Sequence, residues 1–342
     1  MRRLLMVTIV WFIMVMGSAR GYYKNPVLSS GADPWVVKHE GIYYYCCSKD
    51  NGIWVSASKD LHHINLPVKV WSAPEGKKWN SHCIWAPELH YIDGRWYIYY
   101  AGGYSGPPFI HQRAGVLQSV GKDPFGEYID KGSIFTGDTL NDWDHNYWSI
   151  DMTVFRYKGD LYAIWSGWDK HEKTDKTQQN LYIARMKNPW TMGSARVKIS
   201  SPDRDFEKGE LPLNEGPEIL FHGDDVFLIY SCGQSWLDTY KLAYLKLRKN
   251  ADPLLPENWL KGEKPIFEGN EGAFGVGHAC FTTSPDDTEY YILYHTKKDR
   301  TPGWNREVRL QKFTFDENGI PYFGKPEPRN KSLPLPSGTV EE

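Results

Sequence analysis

Apolar and aromatic positions along this chain fall into short bursts set off by tight polar turns. Gly41 leads into Ile42-Tyr43-Tyr44-Tyr45, and Asp93-Gly94 leads into Arg95-Trp96-Tyr97-Ile98-Tyr99-Tyr100. Gly159-Asp160 precedes Leu161-Tyr162, Asp224-Asp225 precedes Val226-Phe227-Leu228-Ile229-Tyr230, and Asp287-Thr288-Glu289 precedes Tyr290-Tyr291-Ile292-Leu293-Tyr294. Aromatic and β-branched residues flanking Gly/Asp turns predict a strand, a tight turn and a second strand in each case. A short polar or acidic motif stands about eight residues ahead of each turn: Asp33-Pro34-Trp35, Ala86-Pro87-Glu88, Asp151-Met152-Thr153, Glu215-Gly216-Pro217 and His278-Ala279-Cys280-Phe281. These five copies recur roughly every 50 to 65 residues, the spacing of propeller blades with generous loops.

The fold expected is therefore all-β, a five-bladed β-propeller with a funnel-shaped site at its central channel. In such a fold the innermost strands stand side by side, so equivalent positions of the five copies meet on one rim. Asp33, Asp151 and, shifted by a residue or two, Glu215 and His278 occupy that position. Gathering so many charged groups is costly unless they serve a site. Any one motif alone is weak, since Asp-Pro is commonly a turn or strand-entry device; their shared place in the repeat is the signal.

Composition narrows the function. The formal net charge is −2, which provides no basic field for nucleic acid or an anionic membrane. Aromatics make up 15% of the chain, with 15 Trp and 22 Tyr; most suit blade packing, and the remainder is available to stack on sugar faces. Arg2-Arg3, the apolar run Leu4 to Met16 and the small residues Gly17-Ser18-Ala19 have the order of a secretory signal, and the run is short for a bilayer span. Residues 1–19 are read as that signal and 20–342 as one propeller domain, working in the periplasm or outside the cell and expected to be a monomer. The five cysteines have no zinc-ligand spacing. Buried free thiols are expected, with Cys46 and Cys47 on opposite strand faces. Ring closure calls for either Tyr22–Leu28 or Arg309–Phe315 to complete the final sheet, and Tyr322-Phe323-Gly324 reads as the last strand-like piece.

Two carboxyl groups across a sugar can hydrolyse a glycoside, one protonating the leaving oxygen and the other activating water or attacking directly. A third can hold the acid protonated by like-charge repulsion. The motifs Gly31-Ala32-Asp33-Pro34-Trp35, Ile84-Trp85-Ala86-Pro87-Glu88-Leu89, Ser149-Ile150-Asp151-Met152-Thr153-Val154-Phe155, Asn214-Glu215-Gly216-Pro217-Glu218 and Gly277-His278 resemble those of glycoside hydrolase family 43, across nearly the whole chain after the signal. The Asn-Asp-Pro-Asn, Arg-Asp-Pro and Glu-Cys motifs of invertase-like propellers are absent.

The resemblance implies inverting hydrolysis with Asp33 as general base, Glu215 as general acid and Asp151 as the residue that tunes Glu215. Glu218 is the competing acid, and Glu88 reads as a supporting carboxylate. His278 resembles a channel-facing histidine that holds a central calcium or sodium ion through waters, with a hydrogen-bonded structural histidine as the alternative; no cofactor is required for the chemistry. Arg306, with Arg309 as its rival, resembles an arginine of the terminal-sugar pocket. Trp85, and after it Trp35 and Phe155, are the aromatics placed against the sugar. The implied substrate is an arabinose- or xylose-containing oligo- or polysaccharide, attacked by an exo-acting α-L-arabinofuranosidase. A β-xylosidase, an endo-arabinanase and a non-catalytic carbohydrate-binding propeller are the alternatives.

Overall fold

The computed structural model describes residues 21–340; residues 1–19, read from the sequence as a signal, lie outside them. Five antiparallel sheets follow one another along the chain, each built from consecutive strands. Blade 1 comprises Trp35–His39, Ile42–Lys49, Gly52–Ser58 and Val68–Ser72. Blade 2 comprises His82–Ile92, Arg95–Gly103, Arg113–Ser119 and Tyr128–Ser133. Blade 3 opens with Ser149–Tyr157, Asp160–Gly167 and Asn180–Asn188, blade 4 with Asn214–His222, Asp225–Cys232 and Lys241–Leu247, and blade 5 with Phe274–Thr283, Tyr290–Lys297 and Arg306–Phe315. The five aromatic bursts are the second strands, each paired across a tight turn with the strand that carries the polar motif.

Apolar side chains on facing sheets fill the wedges between blades. Met152, Val154 and Trp165 pack with Tyr97, Tyr99 and Val116 between blades 3 and 2, and Ile164 and Ile183 pack with Leu228 and Leu245 between blades 3 and 4. Both faces of a blade are thus buried, which is why the second strands read as nearly unbroken apolar runs rather than alternating ones.

Each blade takes its strands from its own stretch of sequence, and Arg306–Phe315 is the third strand of blade 5. The N-terminal segment does not complete that sheet as a full strand. Tyr22–Lys24 instead pairs with Ser332–Pro334 in a separate two-stranded ribbon, beyond the Pro321–Tyr322 strand where the sequence pattern ends. Leu28 bridges Val308, and the Asn25 side chain donates to the Leu310 carbonyl and accepts from the Leu310 N–H. These contacts tie blade 5 to the start of blade 1. All five cysteines are unpaired thiols, with Cys46, Cys232 and Cys280 buried. No helix among the described residues is long and apolar enough to cross a membrane.

Candidate active site

The innermost strands share a backbone irregularity that builds the site. Asp33, Ala86, Asp151, Gly216 and His278 all have positive φ, between 41° and 53°, and in blades 2 to 5 the strand register breaks at this point. A bulge of this kind re-aims a side chain out of the sheet. A left-handed conformation costs an L-residue about 1–2 kcal/mol, least for Asp and Asn, so its recurrence at Ala86 and His278 marks a strained, positioned ring. At Gly216 the requirement is twofold: φ is +52°, and a Cβ there would stand 3.1 Å from the His278 ring. Asp33, Ala86, Gly216 and His278, their successors Pro34, Pro87, Pro217 and Ala279, and Trp35 and Glu88 line a narrow cavity on the axis. Two residues past each kink, Trp35, Glu88, Thr153, Glu218 and Cys280 form a deeper ring.

Asp33 sits among cations and imidazoles. Its Oδ1 lies 3.3 Å from Arg306 Nη1, 3.4 Å from His278 Nδ1 and 3.2 Å from His295 Nδ1. Burial alone would raise its pKa, but the Arg306 guanidinium, His278 and His295 outweigh it and hold the carboxyl well below the usual range. His295 is itself held down to about 3, chiefly by burial and then by Arg306, so it is neutral in the working range.

Glu215, one residue before the kink of blade 4, has the opposite tendency. Burial, reinforced by Asp33 and opposed by a hydrogen bond from Tyr240 and by Arg306, raises it to about 7. Asp151 is also raised to about 7, by burial first and then by Glu215 and Asp33, against the pull of His278 and the Gly216 N–H. That N–H donates to Asp151 Oδ2 at 2.9 Å, so Asp151 holds the backbone directly after Glu215. Two carboxyls that share a low-dielectric site resist ionising together.

The structure brings Asp33, Asp151, Glu215, His278 and Arg306 to one rim. Trp85, half-buried, meets Phe109 edge to face at 5.0 Å, on a loop joined to blade 3 by the bond from the Phe109 N–H to Asp175 Oδ2. It packs beside the cluster of Ala101, Trp148, Ile150 and Trp168. Phe155 does not reach the cavity, whereas Trp35 lines it together with Asp33 and Pro34. Trp35 lies in the deeper ring, its indole N–H donating to the Leu89 carbonyl at 2.8 Å, and Phe155, four residues below Asp151, packs with Tyr162 and Phe221 between blades. Arg309 is buried too, bonded to Glu307 Oε1 and to the carbonyls of Gly272 and Glu327; three positions from Arg306, it points to the other strand face. Glu218 and Glu88 belong to the deeper ring. Glu218 accepts from Thr153 Oγ1 and Glu88 lies 2.9 Å from His90 Nε2, and burial, reinforced at Glu88 by Glu218, pushes both carboxyls well up. Tyr240 and His295 carry no repeat motif; Tyr240 ends the loop between the second and third strands of blade 4, and His295 lies on the second strand of blade 5, opposite Gly277.

A calcium ion takes six to eight oxygen donors. Among the described residues no group of three or more His, Cys, Asp or Glu is disposed to ligate a metal, and Asp33, Asp151 and Glu215 are engaged by Arg306, Gly216 and Tyr240. The residues present do not fit a directly coordinated cation, and the chemistry derived below passes through none.

Comparison with known proteins agrees with this architecture. The family model "Glycosyl hydrolases family 43" matches residues 23–321. The chain is 35% identical, over 90% of its length, to "Alpha-L-arabinofuranosidase 43" of Humicola insolens. It is 32% identical over 89% of its length to "Extracellular exo-alpha-(1->5)-L-arabinofuranosidase" of Streptomyces avermitilis. It spans 64% and 63%, respectively, of those two proteins. An alpha-L-arabinofuranosidase crystal structure from Lactobacillus brevis superposes with a TM-score of 0.82 at 32% identity, covering 90% of this chain and 98% of that one. With the family match running through all five blades, and with relatives above 30% identity covering most of its length, the chain belongs to glycosyl hydrolases family 43.

Proposed function

We propose that the protein is a secreted, inverting, exo-acting α-L-arabinofuranosidase that removes terminal arabinofuranosyl residues from arabinose-containing saccharides. The observation that carries this reading is the opposed protonation of two carboxyls on one rim, Asp33 held ionised and Glu215 raised to about 7. Such a divergence is what an acid and a base working together require. In the single displacement, a water oxygen attacks the anomeric carbon as the glycosidic C–O bond breaks. Glu215 gives its proton to the departing oxygen, and Asp33 takes one from the water. Asp151, beside the Glu215 backbone, repels negative charge and keeps the acid protonated.

Arabinose is favoured over xylose because the relatives above 30% identity that cover most of the chain carry arabinofuranosidase names. Export is supported by the Arg2-Arg3 and Leu4–Met16 pattern and by the extracellular designation of the Streptomyces relatives. Hydrolysis of matched aryl α-L-arabinofuranosides, aryl β-xylosides and arabino-oligosaccharides tests the substrate, with proton NMR of the first-formed anomer. Faster arabinoside cleavage and the inverted anomer are expected; preferential xyloside cleavage or initial release of the retained anomer would reject the assignment.

A further inference from the structure

We propose that Trp236 and Trp304 form a platform for the saccharide on the leaving-group side of this site, stacking the sugar ring to which the cleaved arabinose is attached. The proposal rests on the arabinofuranosidase reading above and names the part of the site that recognises the rest of the substrate.

The two indoles come from the loops joining the second and third strands of blades 4 and 5, residues 233–240 and 298–305. The first loop leaves its sheet at Cys232, paired with Asn214 beside Glu215, so it rises from the level of the acid. The second leaves at Lys297, paired with Phe274 at the same end of blade 5. Trp304 is two residues before Arg306, which contacts Asp33, and Trp236 is four before Tyr240, which bonds Glu215. At 3.8 Å between successive Cα atoms, the Trp304 backbone lies within about 8 Å of that of Arg306, comparable to the length of one or two sugar rings.

The loops are braced against each other. The Gly303 N–H donates to the Trp236 carbonyl at 2.8 Å, and Arg300 pairs with Asp238 at 2.8 Å. Lys297 Nζ donates to the carbonyls of Thr301 and Gly303, and the Gly275 N–H donates to the Asp238 carbonyl. On this support the indole centroids stand 5.9 Å apart with planes 59° from parallel, while Trp304 is 61% exposed. Two indoles in contact on braced loops beside the site form a contiguous apolar surface that a ligand can cover. Two tilted faces make a shallow V suited to one ring gripped from two sides, and indole suits the apolar face of a sugar because it adds stacking to area burial. Glu215 protonates the departing oxygen, so the leaving saccharide extends from Glu215, and the Tyr240 loop is the wall it meets.

The test compares kcat/KM for arabinotriose with that for methyl α-L-arabinofuranoside, whose leaving group has no ring to stack. In Trp304→Ala and Trp236→Ala the ratio should fall about tenfold, mainly through KM, the scale of one lost stacking contact, and Trp304→Phe should restore most of it. An unchanged ratio in both alanine variants overturns the platform. Failure of the wild-type protein on both substrates would instead refute the arabinofuranosidase reading. Calorimetric titration with arabinotriose and xylotriose then decides the platform: Trp304→Ala must weaken binding of one of them about tenfold, and unchanged binding of both overturns it.

Discussion

The Tyr240 hydroxyl donates to Glu215 Oε1 at 2.8 Å, and its ring lies 5.4 Å from the His295 imidazole with the two planes 7° apart. One phenol thereby spans from Glu215 to the imidazole against Asp33. A hydrogen bond to an ionised carboxylate favours that form and lowers its pKa. Tyr240→Phe keeps the ring wedged between His295 and Gly277, where a Cβ would stand 2.3 Å from it, but removes the bond. The pKa of Glu215 should rise from about 7, and the alkaline limb of kcat/KM should move to higher pH; a limb that stays or moves down contradicts this role.

Asp151→Asn should act in the other direction. Removing a negative neighbour eases ionisation of Glu215, so the acid form is lost earlier and the alkaline limb moves to lower pH. The amide oxygen can still accept the Gly216 N–H, which separates charge from positioning. Because the carboxyls titrate together, the limb reports the cluster. A pH profile matching wild type would remove Asp151 from its tuning role.

Glu215→Gln should cripple hydrolysis of natural arabinosides and spare far more activity on aryl arabinosides whose phenolate departs unaided. Equal damage to both substrate types would turn attention to Glu218. Its place in the deeper ring, bonded to Thr153, makes the selective outcome the expected one.

Asp33→Asn should lower kcat by about 10²- to 10⁴-fold on every substrate, the range of a general base, while saccharide binding persists by calorimetry. Near-normal turnover would exclude Asp33 as the base. The depressed pKa of Asp33 carries a second consequence with a definite sign. Its stabilising contribution is present above the ordinary carboxylate pKa and is lost only as pH falls toward the much lower folded value. Deprotonation of Asp33 therefore does not set an acidic limb near pH 4, and a limb found there that vanishes in Asp33→Asn relative to its residual rate would contradict the contacts described.

Arg309→Met should destabilise the fold by about 3–5 kcal/mol, because Glu307 is fully buried and loses a paired guanidinium. Urea unfolding measures it. The kcat/KM of the remaining folded protein should hold, since Arg309 faces away from Arg306; an unchanged midpoint would show that Arg329, 3.1 Å from Glu307, suffices alone.

The five inner hairpins were legible because aromatic bursts and Gly/Asp turns recur at blade spacing, and the acidic motifs were legible as a set because the repeat fixes their relative place. Phe155 was not separable from Trp35 and Trp85 on that basis. An aromatic on an inner strand can face the funnel or the wedge between blades, and the backbone kink at Asp33 and Asp151, which turns residues below it inward, has no sequence mark of its own beyond tolerance for Asp, Gly or Asn. Tyr240 and His295 were hidden for another reason. They meet the carboxyls through side-chain contacts that chain order does not reveal, between residues 25 apart for Tyr240 and Glu215 and 262 apart for His295 and Asp33. The ribbon of Tyr22–Lys24 with Ser332–Pro334 is too short to leave a periodic pattern.

The five left-handed positions amount to a symmetric frame, whereas displacement at a sugar carbon has a direction and needs unlike groups at its two ends. The fold supplies the same bend five times, and all polarity in the site comes from which side chain occupies each bend. Asp33 and Asp151 bring negative charge, His278 an imidazole, and Gly216 cedes its place so that its predecessor Glu215 can enter. Ala86 brings no chemistry at all, leaving one-fifth of the rim neutral beside Trp85. A ring of identical stations becomes directional through that unequal occupancy, with the backbone left unchanged.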